Sequence, residues 1–140
     1  MIPQAVYDTN LIISAALSPS GIPSSLLALA FDGTVQLSVS PVILEEYAEV
    51  LHRPKFELSE QVITGLMLKI TGAAVLVHPT RIISASPDES DNRFLECTQE
   101  AGAGYVVTGN KRHFPFPEFE GIQIVSPAEF ARILMEYACE

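Results

Sequence analysis

Residues 4–10 read QAVYDTN, a short apolar run that ends on an acid, a hydroxyl and an amide. The run is typical of a buried strand because it holds few polar side chains, and Asp8 stands where that strand would end. Runs rich in Val and Ile then alternate with helical patterns along the rest of the chain. Such an alternation indicates a parallel sheet covered on both faces. The sequence therefore predicts a three-layer α/β/α sandwich with a central parallel sheet.

The predicted elements share this alternation of apolar runs and amphipathic segments. Strands are expected at 4–8, 35–39, 73–77, 105–108 and 122–125. Helices are expected at 23–31, 41–53, 59–70, 87–101 and 127–137. The second helix has a clear start, because Ser40 can cap it and Pro41 suits its first position. No repeat, low-complexity tract or linker interrupts the chain, so one domain over residues 1–140 is expected.

The composition is that of a folded, acidic chain. Its 140 residues include 8 Lys and Arg against 17 Asp and Glu, a net charge of −9, and 48% are hydrophobic. This acidity argues against a protein that coats nucleic acid through a broad basic face. No apolar run approaches the ~18 residues of a membrane span. Cys97 and Cys139 lack the spacing of a disulfide framework. We therefore expect a soluble cytoplasmic domain with reduced thiols and no membrane contact.

Two acids stand at the ends of predicted elements. Asp8 ends the first strand, where a turn or a helix cap is the structural alternative to a role in a site. Asp91 lies on the same helical face as Phe94 and Leu95, one turn nearer the N-terminus. Asp88 precedes it and would offset the dipole of that helix.

A third acid comes from the helix predicted at 41–53. On a helical wheel, Glu46 lies on the shoulder of the buried stripe, whereas Glu45 and Glu49 lie on the solvent face. Glu46 is therefore the acid of this helix that could point over the edge of the sheet.

Chain direction brings these acids together. If the strands are parallel, then Asp8, Glu46, Asp91 and the turn at 108–110 all reach the carboxyl edge of the sheet. Three carboxylates in a small pocket repel one another unless a cation compensates them. An all-oxygen site of this kind favours Mg²⁺ or Mn²⁺.

With these residues in place, the chain resembles the PIN domain family of metal-dependent ribonucleases, which includes toxins of toxin–antitoxin pairs. The motifs are Asp8-Thr9-Asn10, Glu46 within residues 40–47, Asp91-Asn92 before Phe94-Leu95, and Val107-Thr108-Gly109-Asn110. Residues 52–56 (HRPKF) are also similar to a subgroup of toxin components. No single motif is specific, but the four occur in order at the right elements.

The resemblance implies a Rossmann-like PIN fold in which Asp8, Glu46 and Asp91 are the catalytic acids and the ligands of Mg²⁺ or Mn²⁺. The residues expected to surround them are Thr9, Asn10, Asp88, Thr108 and Asn110. Lys111 and Arg112 are expected to contact RNA phosphates, with Arg53 and Lys55 as further candidates. The family often has Asp at the position of Asn110, so this amide contributes an oxygen without a charge. Asp88 could partly replace the missing carboxylate.

The resemblance therefore implies an endoribonuclease that hydrolyses RNA phosphodiester bonds, with an antitoxin protein as a partner and a homodimer as the assembly. An alternative is a catalytically weak or inactive PIN-like module that binds metal, RNA or a protein, and Asn110 favours this alternative. A phosphotransfer protein is the third functional class that we consider, and two features of the sequence argue against it. A dehalogenase-type phosphatase needs a second Asp at the position of Asn10, and a receiver domain would carry its Asp on a middle strand.

Overall fold

In the computed structural model, which describes residues 2–110 and 114–138, one sheet of six strands is flanked by six helices. The strands are β1 (Gln4–Tyr7), β2 (Gln36–Val39), β3 (Val75–Leu76), β4 (Tyr105–Val107), β5 (Glu118–Phe119) and β6 (Ile122–Val125). The helices are α1 (Thr9–Leu17), α2 (Ile22–Phe31), α3 (Pro41–Leu51), α4 (Glu60–Ala73), α5 (Glu89–Ala101) and α6 (Pro127–Ala138). A short 3₁₀ turn, Pro54–Phe56, follows α3. The predicted three-layer α/β/α fold is confirmed.

The sheet has the strand order β3-β2-β1-β4-β6-β5. Neighbouring strands from β3 to β6 run parallel, with β1 in the centre between β2 and β4. The predicted central parallel sheet is confirmed, and β5, which was not among the predicted strands, adds one antiparallel pairing with β6 at the edge. Only Glu120 and Gly121 connect these two strands, and both have positive φ angles. A two-residue connection makes a hairpin, whereas a parallel crossover needs a dozen residues or more.

The helix α1, which starts directly after β1, was not predicted from the sequence. Its sequence, TNLIISAAL, has no polar face that would reveal a helical period, and Leu11, Ile12, Ile13 and Ala15 are buried. A helix this apolar cannot be told from a buried strand by periodicity alone. Asp8 caps it.

The other differences concern ends of elements. α5 begins at Glu89 rather than at residue 87, because Asp88 is its N-cap. α4 continues to Ala73, and β3 keeps only two of the five residues predicted for it.

The main hydrophobic core lies between the sheet and the helices on its faces. Tyr7, Tyr47, Phe94 and Phe130 are among its largest fully buried side chains. Within the described residues, no single helix is long and apolar enough to cross a membrane. The helices α1 and α2 meet that test only as a pair bent by 104°.

Candidate active site

A cavity of about 280 Å³ opens where the carboxyl ends of the central strands meet the beginning of α1, one face of α3 and the first turns of α5. We call it the acidic cavity because its lining includes five carboxylates, those of Asp8, Glu46, Glu49, Asp88 and Asp91. The three acids predicted from the sequence are therefore brought together. Thr9 and Asn10, also predicted, line the same cavity.

Asp8 serves two purposes at the end of β1. Its side chain is only 4% exposed, and Oδ1 accepts a hydrogen bond from the backbone N–H of Asn10 at 2.9 Å, as an N-cap of α1 does. Oδ2 accepts a hydrogen bond from the hydroxyl of Thr108, which follows β4 on the neighbouring strand. The backbone N–H of Asn110 in turn donates to Thr108 Oγ1 at 3.0 Å. The helix-cap interpretation of Asp8 is thus correct and is compatible with a place in the cavity.

Glu46 is held by hydroxyl groups from two other helices. Thr9 at the start of α1 donates to Oε2, and Ser90 in the first turn of α5 donates to Oε1. The carboxylate consequently connects α1, α3 and α5 at the floor of the acidic cavity. Thr9 was predicted from the sequence and Ser90 was not. The one sequence feature that points to Ser90 is its position directly before Asp91.

The beginning of α5 is fixed by two further side chains. Asp88 is exposed and caps the helix, accepting from the backbone N–H of Ser90 at 2.9 Å. Asn92 is fully buried and is hydrogen-bonded to the preceding loop. Its Oδ1 accepts from the backbone N–H of Ser86 at 2.8 Å, and its Nδ2 donates to the backbone carbonyl of Ser86 at 2.9 Å. These contacts set the position of Asp91, which is 4% exposed.

Two buried tyrosines lie beneath the acids. The hydroxyl of Tyr47 donates to the backbone carbonyl of Tyr7, the residue before Asp8. The hydroxyl of Tyr7 donates to the carbonyl of Leu26 in α2 at 2.9 Å. Burial raises the pKa of both tyrosines, and for Tyr47 the thiol of Cys97 and the nearby acids add to the rise. Both phenols therefore stay protonated and act as hydrogen-bond donors rather than as bases.

The chemistry of the donor set fits a hard divalent cation. Within residues 2–110 and 114–138, no three His, Cys, Asp or Glu side chains already converge as a finished metal site. The acidic cavity nevertheless supplies oxygen donors from carboxylates and hydroxyls, the type that Mg²⁺ and Mn²⁺ prefer. A carboxylate has about four lone-pair positions, so Asp8 and Glu46 can accept these hydrogen bonds and still coordinate a metal or its water. Asp8, Glu46 and Asp91 are the residues that would hold the ion.

Of the four basic residues predicted to contact RNA, two lie in the described part of the chain, and one of these two lines the acidic cavity. Lys111 and Arg112 lie outside the described residues. Lys55 is placed over the ring of Phe56, 5.1 Å from its centroid, and does not line the acidic cavity. Arg53 does line it. Glu49, expected on the solvent face, is exposed and also lines the cavity.

The fold and this site define an α/β domain with clustered carboxylates at the carboxyl edge of a mostly parallel sheet. A family model described as PIN domain matches residues 4–112, and the chain belongs to the PIN domain family. Members of this family are generally nucleases, which supports a hydrolase activity for this protein. An uncharacterized protein of Methanocaldococcus jannaschii is 32% identical to this chain over 111 residues. The match covers 77% of this chain and 71% of that protein.

Proposed function

We propose that this protein is a Mg²⁺- or Mn²⁺-dependent endoribonuclease that hydrolyses RNA phosphodiester bonds. The observation that carries the proposal is the meeting of Asp8, Glu46 and Asp91, from three separate elements, in one cavity. Two of these acids, Asp8 and Asp91, are nearly buried at 4% exposure each, and burial disfavours the charged form of a carboxylate, which a bound cation would favour.

The side chains around the acids have definite tasks under this proposal. Asp8 and Asp91 hold the metal, and Glu46 binds it directly or through water. When bound, the ion polarises the phosphoryl oxygen and lowers the pKa of the attacking water. The hydroxyls of Thr9 and Ser90 keep the Glu46 carboxylate turned into the cavity, and Thr108 does the same for Asp8. Such contacts raise metal affinity by orienting the ligands.

The test is cleavage of a single-stranded RNA by the purified protein in Mn²⁺. The wild type should cut the RNA, excess chelator should stop it, and Asp8→Asn should lower the rate by about 100-fold or more. Asp32→Asn is a matched control, because Asp32 is an exposed acid outside the cavity whose carboxylate also accepts from a backbone N–H two residues ahead. Equal cleavage by Asp8→Asn, or cleavage in excess chelator, would contradict the proposal.

Asn110 supports a second candidate, a PIN module that binds metal or RNA and turns over slowly or not at all. At this position the family often has an acid, and the amide adds no negative charge to the site. Calorimetric titration with Mn²⁺ separates the candidates when it is paired with the cleavage assay, since binding without turnover indicates the module. Asn110→Asp should raise the cleavage rate if the missing carboxylate limits activity.

We also propose that the protein is the toxin of a toxin–antitoxin pair, acts in the cytoplasm as a homodimer and is neutralised by a cognate antitoxin. The support is the resemblance of residues 52–56 and of the acidic motifs to such toxins. Expression should arrest growth of a host cell, and co-expression of the product of the adjacent gene should restore it. Light scattering of the purified protein should give twice the chain mass. Unimpaired growth or a monomeric mass would contradict the respective part.

A further inference from the structure

Arg53 lies at the outer end of the α3 face that lines the acidic cavity. That face presents Glu46, Glu49 and Val50 to the cavity, and Arg53 joins them from the second residue after the end of α3. At ~1.5 Å of rise per residue, Leu51 at the end of α3 is about 8 Å along the helix axis from Glu46, and Arg53 follows two residues later. Arg53 therefore lines the same cavity as the proposed metal ligands, from a position just past the C-terminal end of α3.

The charges of the cavity give this position its importance. Among the described residues that line it, Arg53 is the only cation and faces five carboxylates. A bound divalent ion would offset two of those charges and Arg53 offsets a third, which leaves the cavity acidic. A polyanionic RNA strand is repelled there unless a cation receives one of its phosphates.

The present partner of Arg53 is easily exchanged. Nη2 is 3.3 Å from Oε1 of Glu49, and the side chains of Arg53 and Glu49 are 49% and 68% exposed. An ion pair with this exposure adds little to stability. A phosphate offers the planar guanidinium two parallel acceptors, and so makes a stronger contact than one long hydrogen bond to a carboxylate.

We propose that Arg53 binds a phosphate of the RNA strand flanking the one at the acids, and that this phosphate displaces Glu49 from the guanidinium. The inference rests on the proposed ribonuclease function and identifies where the strand leaves the acidic cavity. Glu49 competes with phosphate for the guanidinium of Arg53. It therefore weakens the binding of anions to Arg53, except for an RNA strand that also binds the metal. Lys55 has no part in this contact.

The alternative is that Arg53 is only structural, because it follows the C-terminal end of α3 and a cation there stabilises the helix dipole. Four variants separate the two roles: Arg53→Gln, Arg53→Lys, Glu49→Gln and Arg81→Gln. Arg81 is the matched control, since it is an arginine in an exposed ion pair with Glu120 and does not line the acidic cavity. Arg53→Gln and Arg81→Gln change the net charge equally.

Cleavage of single-stranded RNA in Mn²⁺ should give KM and kcat for each variant, at several salt concentrations. Arg53→Gln should raise KM by about tenfold or more with kcat within about twofold. It should also lower the slope of log KM against log salt by about 0.7, the share of one phosphate contact to a single strand. Arg53→Lys should restore the slope but only part of the KM, and Arg81→Gln should change neither. Glu49→Gln should lower KM, because the competitor is removed.

Each outcome has a separate meaning. If the wild type cuts RNA and Arg53→Gln keeps its KM and salt slope, the inference is overturned and the ribonuclease stands. A rise in KM for Glu49→Gln would overturn the displacement of Glu49. If the wild type fails to cut RNA in Mn²⁺, the proposed function is overturned, and the role of Arg53 that rests on it is overturned as well. Thermal unfolding of every variant checks that it is folded at the assay temperature, because a loss of folded protein would lower the apparent kcat.

Discussion

Replacing Tyr47 by Phe removes one hydroxyl from the interior beneath the acids and changes little else. Tyr47 is fully buried, and its hydroxyl donates to the carbonyl of Tyr7, so the variant loses a buried hydrogen bond. Such a loss costs about 1–2 kcal/mol of unfolding free energy. With an m value of about 2 kcal/mol/M for urea, the midpoint of unfolding should fall by about 0.5–1 M at unchanged m.

Tyr7→Phe is the matched control for this experiment. It deletes an equally buried hydroxyl that donates to Leu26 in α2, a helix with no residue in the lining of the acidic cavity, so its loss of stability should be similar. Cleavage should distinguish the two variants. The Tyr47 hydroxyl holds the peptide group directly before Asp8, and misplacement of a ligand by a fraction of an ångström lowers kcat by about tenfold. The reasoning is refuted if Tyr47→Phe is as stable as the wild type, or if Tyr7→Phe impairs kcat equally.

Three further measurements test the site and its surroundings. At an Mn²⁺ concentration about 100 times its Kd, the unfolding free energy should rise by about 2.7 kcal/mol, seen as a higher Tm, and Asp8→Asn should abolish the rise; an equal rise in the variant would contradict the metal site. Burial raises the pKa of the Cys97 thiol to about 12, so it should resist a thiol reagent at pH 8. Native wild type and Cys97→Ala should then react alike, and the wild type should show one more thiol after unfolding. The carbonyl of Ala48, and then Glu60, raise the pKa of His52 above 6.5, so its stabilising effect is present below about pH 6.5 and declines as pH rises through the folded pKa. An NMR titration should show this pKa and its fall in Glu60→Gln; an unshifted imidazole would contradict the contact.

The arrangement of strands and helices was predictable where a residue type forces a local structure. Ser40 followed by Pro41 gave the start of α3 correctly, because a cap and a proline at the first helical position leave little choice. The β5–β6 hairpin was not predictable in the same way. Its turn residues are Glu120 and Gly121, which do not match the Asn-Gly or Asp-Gly signature of a two-residue hairpin. A Glu with positive φ is unusual, so nothing in the sequence indicated a tight turn there.

For the site, the wheel of α3 placed Glu46 correctly because a helix fixes which side chains share a face. The wheel could not show that Glu49 borders a cavity, since an exposed position and the mouth of a cleft look the same on one helix. Ser90 and Tyr47 were missed for a related reason. Their partners, Glu46 and the carbonyl of Tyr7, lie 44 and 40 residues away in the chain, and a single sequence gives no measure of such contacts.

The partners of two glutamates, Glu96 and Glu46, differ in a way that supports the proposed cation site. Glu96 is 8% exposed, and the protein neutralises it with Arg93 at 2.9 Å. For Glu46, no Lys, Arg or His in the described part of the chain forms an ion pair, and both oxygens instead accept from the hydroxyls of Thr9 and Ser90. Hydroxyl donors orient a carboxylate but leave its charge intact. A carboxylate on α3 that is oriented by hydroxyls from two other helices can bind a divalent ion at little cost of reorganisation.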